Sequence, residues 1–483
     1  MARFTLQELL EATEGKLLFA PSENGGDLAA FSVNDISTDT RTIKEGDLFL
    51  ALIGENFDGN NYAQKAVDAG ASVLVLSKEE CAVQGVPTIL VEDTKIALEK
   101  IASFYRKRQN FLVVAVTGSV GKTSTREMVA SALSACKKVY ATKNNDNNEI
   151  GLSKTILAAP EDSEIVVLEM GMRLRGEISE LTHIALPDIA VITNIGVAHL
   201  ERLGSREEIL KAKLEILEGL KEGGLLIIPA ADKMLAMARE KNWIRKDVKI
   251  AYVSAEGAPI PEGACGSAAS SEMTFQDGKI CFQVEAGFEE RIKKTLAISV
   301  IGIHHVGNAL VGFLCGLYLH LSPDKLAEGI ASFSQIGHRE KLKDEAGVHF
   351  LDDAYNAGPE SMSSAMTSIR RLAGSARAFA CIGDMLELGE VSEEKHFEIG
   401  AHAALEKLDG LFVIGDYKEK VKEGVASVDP SLPVFLCKDK EEIVNRLREI
   451  VKPGDFVLLK ASHSFEMYTI SEEYASIFKE GEC

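Results

Sequence analysis

The fold is decided by the stretch Val113-Val114-Ala115-Val116-Thr117-Gly118-Ser119-Val120-Gly121-Lys122-Thr123-Ser124-Thr125. Its first four residues are continuously apolar, as in a strand of a parallel sheet that is buried on both faces. A helical pattern follows from Arg126. A glycine-rich turn between a strand and a helix lets backbone N–H groups and the helix dipole bind phosphate. The stretch therefore predicts a phosphate-binding loop in an α/β domain, with Lys122 on the phosphates and Thr123 on Mg²⁺.

The loop matches only the second half of the usual eight-residue pattern, because Val116 stands where that pattern has glycine. The alternative is an ordinary strand-turn-helix with a chance Gly-Lys-Thr, but the flanking strand and helix favour a phosphate loop. Glu169 ends a second apolar run at the edge where parallel sheets place ligands. An acid after a strand is often only a solvated loop residue. The phosphate loop upstream favours a metal ligand here.

Length divides the chain further. At about 150 residues per domain, a chain of 483 residues suggests roughly three domains. Changes in the pattern of strand-like and helical segments predict an N-terminal domain at residues 1–108, a central nucleotide domain at 109–335 and a C-terminal domain at 336–483. No internal repeat interrupts this order.

The predicted elements follow the same division. In the first segment they are strand-like runs at 47–52 and 72–76 and helices at 62–70 and 94–108. In the second they are buried strands at 165–168, 189–193 and 225–228, with an antiparallel extension at 254–290. In the third they are strands at 349–352, 378–382, 411–414 and 455–459. The predicted fold class is therefore α/β, with a doubly wound parallel sheet in the centre and a smaller Rossmann-like unit after it.

Composition excludes several classes of protein. A net charge of −20 and a pI near 5.1 argue against a general nucleic-acid or anionic-membrane binder, which needs a basic face. No apolar run approaches the ~18 residues of a membrane span, and the first residues lack the apolar stretch of a signal peptide. The eight cysteines are scattered without a CxxC pair, which indicates reduced thiols and argues against zinc. We expect a cytoplasmic protein without an integral membrane segment.

Motifs spread over most of the chain resemble those of the Mur ligase family, the ATP-dependent amide ligases of peptidoglycan precursor synthesis. Their positions are the phosphate loop, 145–151, 169–172, 193–200, 213–216, 302–310 and 337–339. The motifs at 352–359 and 383–389 are similar to those of the family member that acts on D-alanyl-D-alanine. The resemblance implies an enzyme that joins D-alanyl-D-alanine to UDP-N-acetylmuramoyl-tripeptide through an acyl phosphate, with ATP as the phosphate donor, and we expect a monomer.

The resemblance also implies roles for individual residues. For ATP they are Gly118, Ser119, Val120, Gly121, Lys122, Thr123, Ser124, Asn308, Arg339, Asp353, Tyr355 and Asn356. For two Mg²⁺ ions they are Thr123, Glu169, His199 and, if carbamylated, Lys213. The catalytic set is Lys122, Glu169, His199, Lys213 and Arg339. The residues implied for substrate are Ser37, Asp39, Arg41, Asn145, Asn147 and Asn148. The N-terminal domain is implied to hold the UDP-sugar, and the C-terminal domain to close over ATP and bind the dipeptide.

The chain departs from the family pattern at five positions. His305 and Gly358 each replace a usual Asn, and Asn60 replaces a His. Ala461 and His463 stand where a Lys-Gly-Ser-Arg-Ser motif has Gly and Arg. Because a His is shorter and only partly charged near neutral pH, His463 cannot reproduce a bidentate Arg grip on a carboxylate.

Alternatives remain for several residues and for the activity. By sequence alone Lys213 fits a surface lysine of a charged helix, and the alternative for Arg339 is a solvated linker residue. A folylpolyglutamate synthetase would share the phosphate loop but should lack the motif at 383–389. A nucleotide-binding switch or scaffold would bind ATP without making a bond.

Overall fold

The computed structural model describes residues 4–21, 27–255, 257–276, 279–335 and 339–480. Gly337 and His338 of the predicted hinge motif lie outside the described residues. Within the described ranges, every helix is too short or too polar to cross a membrane. The seven cysteines in these ranges are free thiols, as the sequence predicts.

The N-terminal unit contains a five-stranded sheet in the order β2-β7-β6-β5-β4 and a separate β1–β3 pair. Its strands are β1 Phe4–Thr5, β2 Lys16–Leu18, β3 Ser32–Val33, β4 Ile36–Ser37, β5 Asp47–Leu50, β6 Ala71–Leu76 and β7 Thr88–Leu90. Its helices are α1 Leu6–Thr13, α2 Ala63–Asp68 and α3 Thr94–Arg108. The predicted helix at 94–108 is confirmed, because Asp93 caps it by accepting from the backbone N–H groups of Lys95 and Ile96.

The central unit is built on a nine-stranded sheet in the order β16-β15-β14-β13-β12-β11-β8-β10-β9. Its strands are β8 Leu112–Thr117, β9 Val139–Ala141, β10 Ile165–Glu169, β11 Ile189–Ile192, β12 Leu225–Pro229, β13 Lys249–Ser254, β14 Gly266–Gln276, β15 Lys279–Gly287 and β16 Arg291–Ile298. Its helices are α4 Lys122–Ser134, α5 Glu149–Ala158, α6 Glu177–Ala185, α7 Leu200–Leu203, α8 Arg206–Leu214, α9 Lys233–Glu240, α10 His304–Tyr318 and α11 Pro323–Ala331.

Strand β8 lies inside this sheet and is buried on both faces. Val113 and Ala115 pack into one hydrophobic cluster, whereas Val114 and Val116 pack into the cluster on the opposite face. Strands β8 to β14 pair with their neighbours in parallel. The β14–β15 and β15–β16 pairs are antiparallel. The doubly wound sheet with an antiparallel extension is therefore confirmed.

One sequence expectation about this unit is wrong. The helix after the phosphate loop begins at Lys122 and not at Arg126. Gly121 has a left-handed φ of +83°, which lets the chain turn directly into α4. Lys122 and Thr123 therefore lie in the first helical turn, where free N–H groups point toward a phosphate.

The C-terminal unit has a six-stranded sheet in the order β17-β18-β22-β19-β20-β21, parallel except for the β17–β18 pair. Its strands are β17 Lys341–Glu345, β18 Val348–Asp352, β19 Ala378–Ile382, β20 Gly410–Val413, β21 Val434–Leu436 and β22 Phe456–Lys460. Its helices are α12 Pro359–Ala373, α13 Ser392–Leu405, α14 Lys418–Val428, α15 Lys440–Ile450 and α16 Thr469–Glu480. The predicted strands lie within a residue of the observed ones.

The three units contact each other through different surfaces. The N-terminal and central units share one hydrophobic cluster, and the Arg106 side chain of α3 donates to the Ala185 carbonyl at 2.9 Å and to Asp188 Oδ2 at 2.9 Å. The C-terminal unit meets the central unit through a smaller cluster that includes Val197 and Leu351. A large cleft remains between these last two units.

Candidate active site

The cleft has a volume of about 1400 Å³ and opens where β8, β10 and β11 end. Most of the residues predicted for ATP, metal and substrate line it: Ser119, Val120, Gly121, Lys122, Thr123, Ser124, Asn145, Asn147, Asn148, Glu169, His199, Asn308, Arg339, Asp353, Tyr355 and Asn356. The carboxyl ends of parallel strands are where doubly wound sheets bind ligands. The structure thus brings most of the predicted residues together in one place.

The phosphate loop is held in shape by the segment after β11. Asn194 Oδ1 accepts from the Val120 N–H at 3.0 Å, and Thr193 Oγ1 donates to the Val120 carbonyl at 2.6 Å. Gly118 has a φ of +150°, and a Cβ there would lie 1.8 Å from Thr193 Oγ1. Only glycine therefore allows the loop to approach this segment so closely.

Lys122 carries the cation of the loop. Its Nζ donates to the Gly118 carbonyl at 2.9 Å. Burial lowers the pKa of Lys122 from its usual value, the nearby Glu169 carboxylate raises it, and the Arg339 guanidinium lowers it. Two cations and one carboxylate thus interact electrostatically around the loop, as a site for a polyanionic phosphate requires.

Glu169 ends β10 as a buried carboxylate with 1% of its surface exposed. Asn147 Nδ2 donates to its Oε1 at 2.8 Å, and Arg126 Nη1 lies 3.4 Å from its Oε2. Asn147 Nδ2 also donates to Asn145 Oδ1 at 2.8 Å, so part of the Asn-rich loop orients the acid. Asn148 instead accepts from the Gly151 N–H at 2.9 Å and caps α5, which is a structural contact.

Sequence reasoning missed Arg126. It follows Lys122 by one helical turn of α4, is 3% exposed, and pairs with Glu127 at 2.8 Å as well as with Glu169. A basic residue one turn beyond the loop lysine was a usable signal, because residues i and i+4 share a helix face.

His199 joins the central unit to the C-terminal unit. Its backbone is left-handed at a φ of +65°, and its Nδ1 lies 2.8 Å from Glu387 Oε2 in the motif at 383–389. Burial lowers the pKa of the His199 imidazole despite the opposing effect of Glu387. A neutral imidazole whose Nδ1 is oriented by a carboxylate can bind a metal through Nε2. Glu387 was not among the predicted site residues.

Lys213 lies on α8 with 1% of its surface exposed. Within the part of the chain that the structure describes, its ammonium has no hydrogen bond and no ion pair. Burial and the charge of Lys122 lower the pKa of Lys213 well below its usual value. This environment contradicts the surface-lysine alternative and favours a neutral amine, which is the form that reacts with CO₂.

The C-terminal unit supplies Arg339, Asp353 and Tyr355. Arg339 Nη2 donates to Thr123 Oγ1 at 3.3 Å, and its guanidinium carbon lies 3.9 Å from the centre of the Tyr355 ring. Arg339 is therefore not a solvated linker residue. Asp353 Oδ2 accepts a hydrogen bond from the buried Lys460 ammonium at 2.6 Å. Lys460 was not among the predicted site residues.

Three further residues of the cleft, Asn356, His463 and Asn308, contact distant parts of the chain. Lys460 also donates to the Asn356 carbonyl at 3.0 Å. His463 Nδ1 lies 3.1 Å from the Tyr355 carbonyl, so its ring faces the same end of the cleft. Asn308 Oδ1 accepts from Thr125 Oγ1 at 2.8 Å, which ties α10 to α4 beside the phosphate loop.

Ser37, Asp39 and Arg41 do not line this cleft. Arg41 Nη2 donates to Asp39 Oδ2 at 2.6 Å, and this contact lowers the pKa of the Asp39 carboxyl to about 2. The Arg41 side chain is largely exposed. The charge of Lys154 on α5 also lowers the pKa of the Asp39 carboxyl.

Known families match the whole order of units. The Mur ligase family catalytic domain matches residues 32–106, the Mur ligase middle domain 116–316, and the Mur ligase glutamate ligase domain 338–463. A UDP-N-acetylmuramoyl-tripeptide–D-alanyl-D-alanine ligase from Bacillus subtilis (strain 168) is 34% identical over 98% of both chains. The chain belongs to the Mur ligase family. The resemblance of its motifs to that family is confirmed.

Solved Mur ligase structures share the three-unit architecture. MurF from Acinetobacter baumannii has a TM-score of 0.85 at 27% identity, covering 99% of each chain. The MurF ligase from Thermotoga maritima in complex with ADP has a TM-score of 0.80 at 29% identity, covering 93% of this chain and 98% of the other. The predicted three-domain Mur ligase fold is therefore confirmed.

Proposed function

We propose that this Mur ligase joins D-alanyl-D-alanine to UDP-N-acetylmuramoyl-tripeptide and converts ATP to ADP and phosphate. The observation that carries the proposal is the full-length likeness to ligases of that name, such as the one from Bacillus subtilis. The cleft supports it, because a phosphate loop and two cations face a buried carboxylate across a space large enough for several ligands. The same likeness favours this reaction over folylpolyglutamate synthesis.

The nucleotide would bind at the phosphate loop. The N–H groups at the start of α4 and the ammonium of Lys122 would hold the phosphates, and Arg339 would reach them from the C-terminal unit. Asn308, Asp353, Tyr355 and Asn356 would line the rest of the nucleotide site. The ADP bound to the Thermotoga maritima relative supports ATP as the phosphate donor.

The donor atoms fit magnesium. A hard cation prefers oxygen ligands, and the Thr123 hydroxyl and the Glu169 carboxylate line the same cleft. Glu169, His199 and a carbamate on Lys213 would hold a second ion. Bound Mg²⁺ would neutralise charge on the phosphate oxygens, so that a carboxylate can approach a triphosphate.

The residues then support two substitutions. In the first, a carboxylate oxygen of the tripeptide bonds to the γ-phosphorus and the bond to the β-phosphate oxygen breaks, which gives an acyl phosphate and ADP. In the second, the neutral amine of D-alanyl-D-alanine bonds to the acyl carbon, the carbon–oxygen bond to phosphate breaks, and the amine loses a proton. Lys122 and Arg339 would stabilise the negative charge on the transferring phosphoryl group.

The three units divide the substrates in this proposal. Residues 1–108 would hold the UDP-sugar through Ser37, Asp39 and Arg41. Residues 109–335 would hold ATP and the peptide carboxylate, with Asn145, Asn147 and Asn148 nearby. Residues 336–483 would close over the nucleotide and bind the dipeptide near His463. The reaction would run in the cytoplasm with the enzyme as a monomer.

Substrate-dependent phosphate release tests the activity directly. We expect release from ATP and Mg²⁺ only when the UDP-linked tripeptide and D-alanyl-D-alanine are both present, since closure excludes water from the acyl phosphate. Mixtures that lack the dipeptide, or that contain folate and glutamate instead, are the controls. Equal release without the dipeptide would contradict the proposal, and ATP binding with no release under any mixture would favour a nucleotide-binding switch. Comparing lysine- and diaminopimelate-containing tripeptides would identify the third residue.

A carbamate on Lys213 makes a separate prediction. Lys213→Ala should lower kcat by about 10²-fold, because it removes an anionic ligand for the second metal. Added short carboxylates should restore part of the activity, and ¹³C-bicarbonate should give a carbamate carbon signal in the unsubstituted enzyme only. Lys211→Ala is the matched control, because Lys211 is paired with Glu207 and Glu208 on the helix surface. Full turnover of Lys213→Ala would exclude the carbamate from catalysis.

A further inference from the structure

Glu340 is a buried carboxylate directly after Arg339. It is 6% exposed, although a carboxylate at the start of a new domain is normally solvated. Its Oε2 lies 3.0 Å from Nε2 of His305 and accepts from Gln335 Nε2 at 3.2 Å. His304 Nε2 lies 3.5 Å from its Oε1. The carboxylate is thus held by side chains of the central unit.

A continuous set of polar contacts leads from this carboxylate back to the phosphate loop. His305 is fully buried at the start of α10, and its Nδ1 lies 3.2 Å from Asn308 Nδ2. Asn308 in turn accepts from Thr125 of α4. At the other end, the neighbouring Arg339 donates to Thr123 of the same helix. The chain of contacts therefore starts at Thr125 and returns to Thr123, both in the first turn of α4.

The local backbone is shaped for this contact. Glu340 has a left-handed φ of +48°, which is uncommon for a residue with a side chain and costs free energy. A Cβ on Gly302 would lie 2.5 Å from Glu340 Oε1, so a larger residue there would displace the carboxylate. The surrounding residues therefore fix the position of the Glu340 carboxylate.

The same three groups have the composition of a metal-binding set. The ligand atoms of His304, His305 and Glu340 all lie within 4.8 Å of one another. Glu340 Oε2 already has two hydrogen-bond partners in the described residues, His305 Nε2 at 3.0 Å and Gln335 Nε2 at 3.2 Å. This geometry favours a paired contact over a metal centre.

We propose that His305 and Glu340 are a positioning pair that holds Arg339 against the phosphate loop when nucleotide is bound. Glu340 anchors the first residues of the C-terminal unit on α10, so that the preceding Arg339 reaches Thr123 and stacks on Tyr355. His305, which stands where the family pattern has Asn, supplies the ring nitrogen that meets the carboxylate. The inference rests on the proposed function, because it needs Arg339 to act on ATP.

A double-mutant cycle tests whether Glu340 acts through Arg339. Glu340→Ala and Arg339→Ala should each lower kcat by about 30-fold while ADP affinity changes by less than about threefold, and the double variant should lose no more than either alone. Glu340→Gln should keep part of the activity, because it retains a hydrogen-bonding oxygen for His305. Glu345→Ala is the matched control, because Glu345 ends the strand that follows Glu340 and its side chain has no hydrogen bond or ion pair to the described residues. If the kcat losses of the two single variants multiply in the double variant, the proposal is overturned.

Hydrogen–deuterium exchange keeps the test independent of turnover. With Mg²⁺ and a non-hydrolysable ATP analogue, the amides of residues 339–345 should exchange at least about tenfold faster in Glu340→Ala than in the unsubstituted enzyme. His305→Asn should give the same change. Equal exchange in all three proteins would overturn the positioning role. If the unsubstituted enzyme shows no substrate-dependent turnover, the proposed ligase function is contradicted. The exchange result alone then tests whether His305 and Glu340 position Arg339.

Discussion

Replacing Lys122 with alanine is expected to lower kcat by about 10³-fold or more, equivalent to roughly 4 kcal/mol of transition-state stabilisation. Lys122 begins α4, and its ammonium lies among the carbonyls of the phosphate loop. As the phosphoryl group moves, negative charge is concentrated at the loop. A fixed cation stabilises it there more than water would, because the site is largely buried.

Phosphate release at saturating substrates measures this loss, and titration calorimetry with ADP measures binding. Lys138→Ala is the matched control, because that lysine is exposed and pairs with Asp162 on the surface. The melting temperature should stay close to that of the unsubstituted enzyme, since within the described ranges the Lys122 side chain donates hydrogen bonds only to the carbonyls of Gly118 and Ser119. Unchanged kcat in Lys122→Ala would remove this lysine from the phosphate site.

Glu169→Gln should also lower kcat by about 10³-fold, while ADP binding weakens by less than about tenfold. The amide keeps the size of the side chain and one hydrogen-bonding oxygen, so Asn147 retains its contact. What disappears is the negative charge that attracts Mg²⁺ and that pairs with the buried Arg126. The effect should therefore fall on the chemical step much more than on nucleotide binding.

Comparing turnover with ADP affinity separates a ligase from a nucleotide switch. A switch would lose binding and response together, whereas a ligase should keep most of its binding and lose turnover. Glu164→Gln is the control, because Glu164 is exposed and pairs with Lys137 at the surface. Raising the Mg²⁺ concentration should recover part of the activity of Glu169→Gln if the lost charge acts through the metal. Full turnover in the variant would show that Glu169 is not a metal ligand.

Much of the fold could be predicted from local pattern. The apolar run before the phosphate loop predicted an inner strand, and β8 packs into hydrophobic clusters on both faces of the sheet. The helix predicted at 94–108 from its apolar spacing matches α3 to the residue. The start of α4 was missed by four residues, because the left-handed glycine that begins it is a backbone property that composition does not show.

The sequence by itself determined the phosphate loop, the α/β class and the family, because these depend on residues that are neighbours along the chain. Only the tertiary structure decided which distant groups meet. His199 contacts Glu387, 188 positions away, and Thr123 contacts Arg339, 216 positions away. Such pairs depend on how the C-terminal unit packs on the central one, and a carboxylate in a loop has no local signal that names its partner. The burial of Lys213 and Glu340 likewise arises from surfaces supplied by remote segments, and burial sets the chemistry of both.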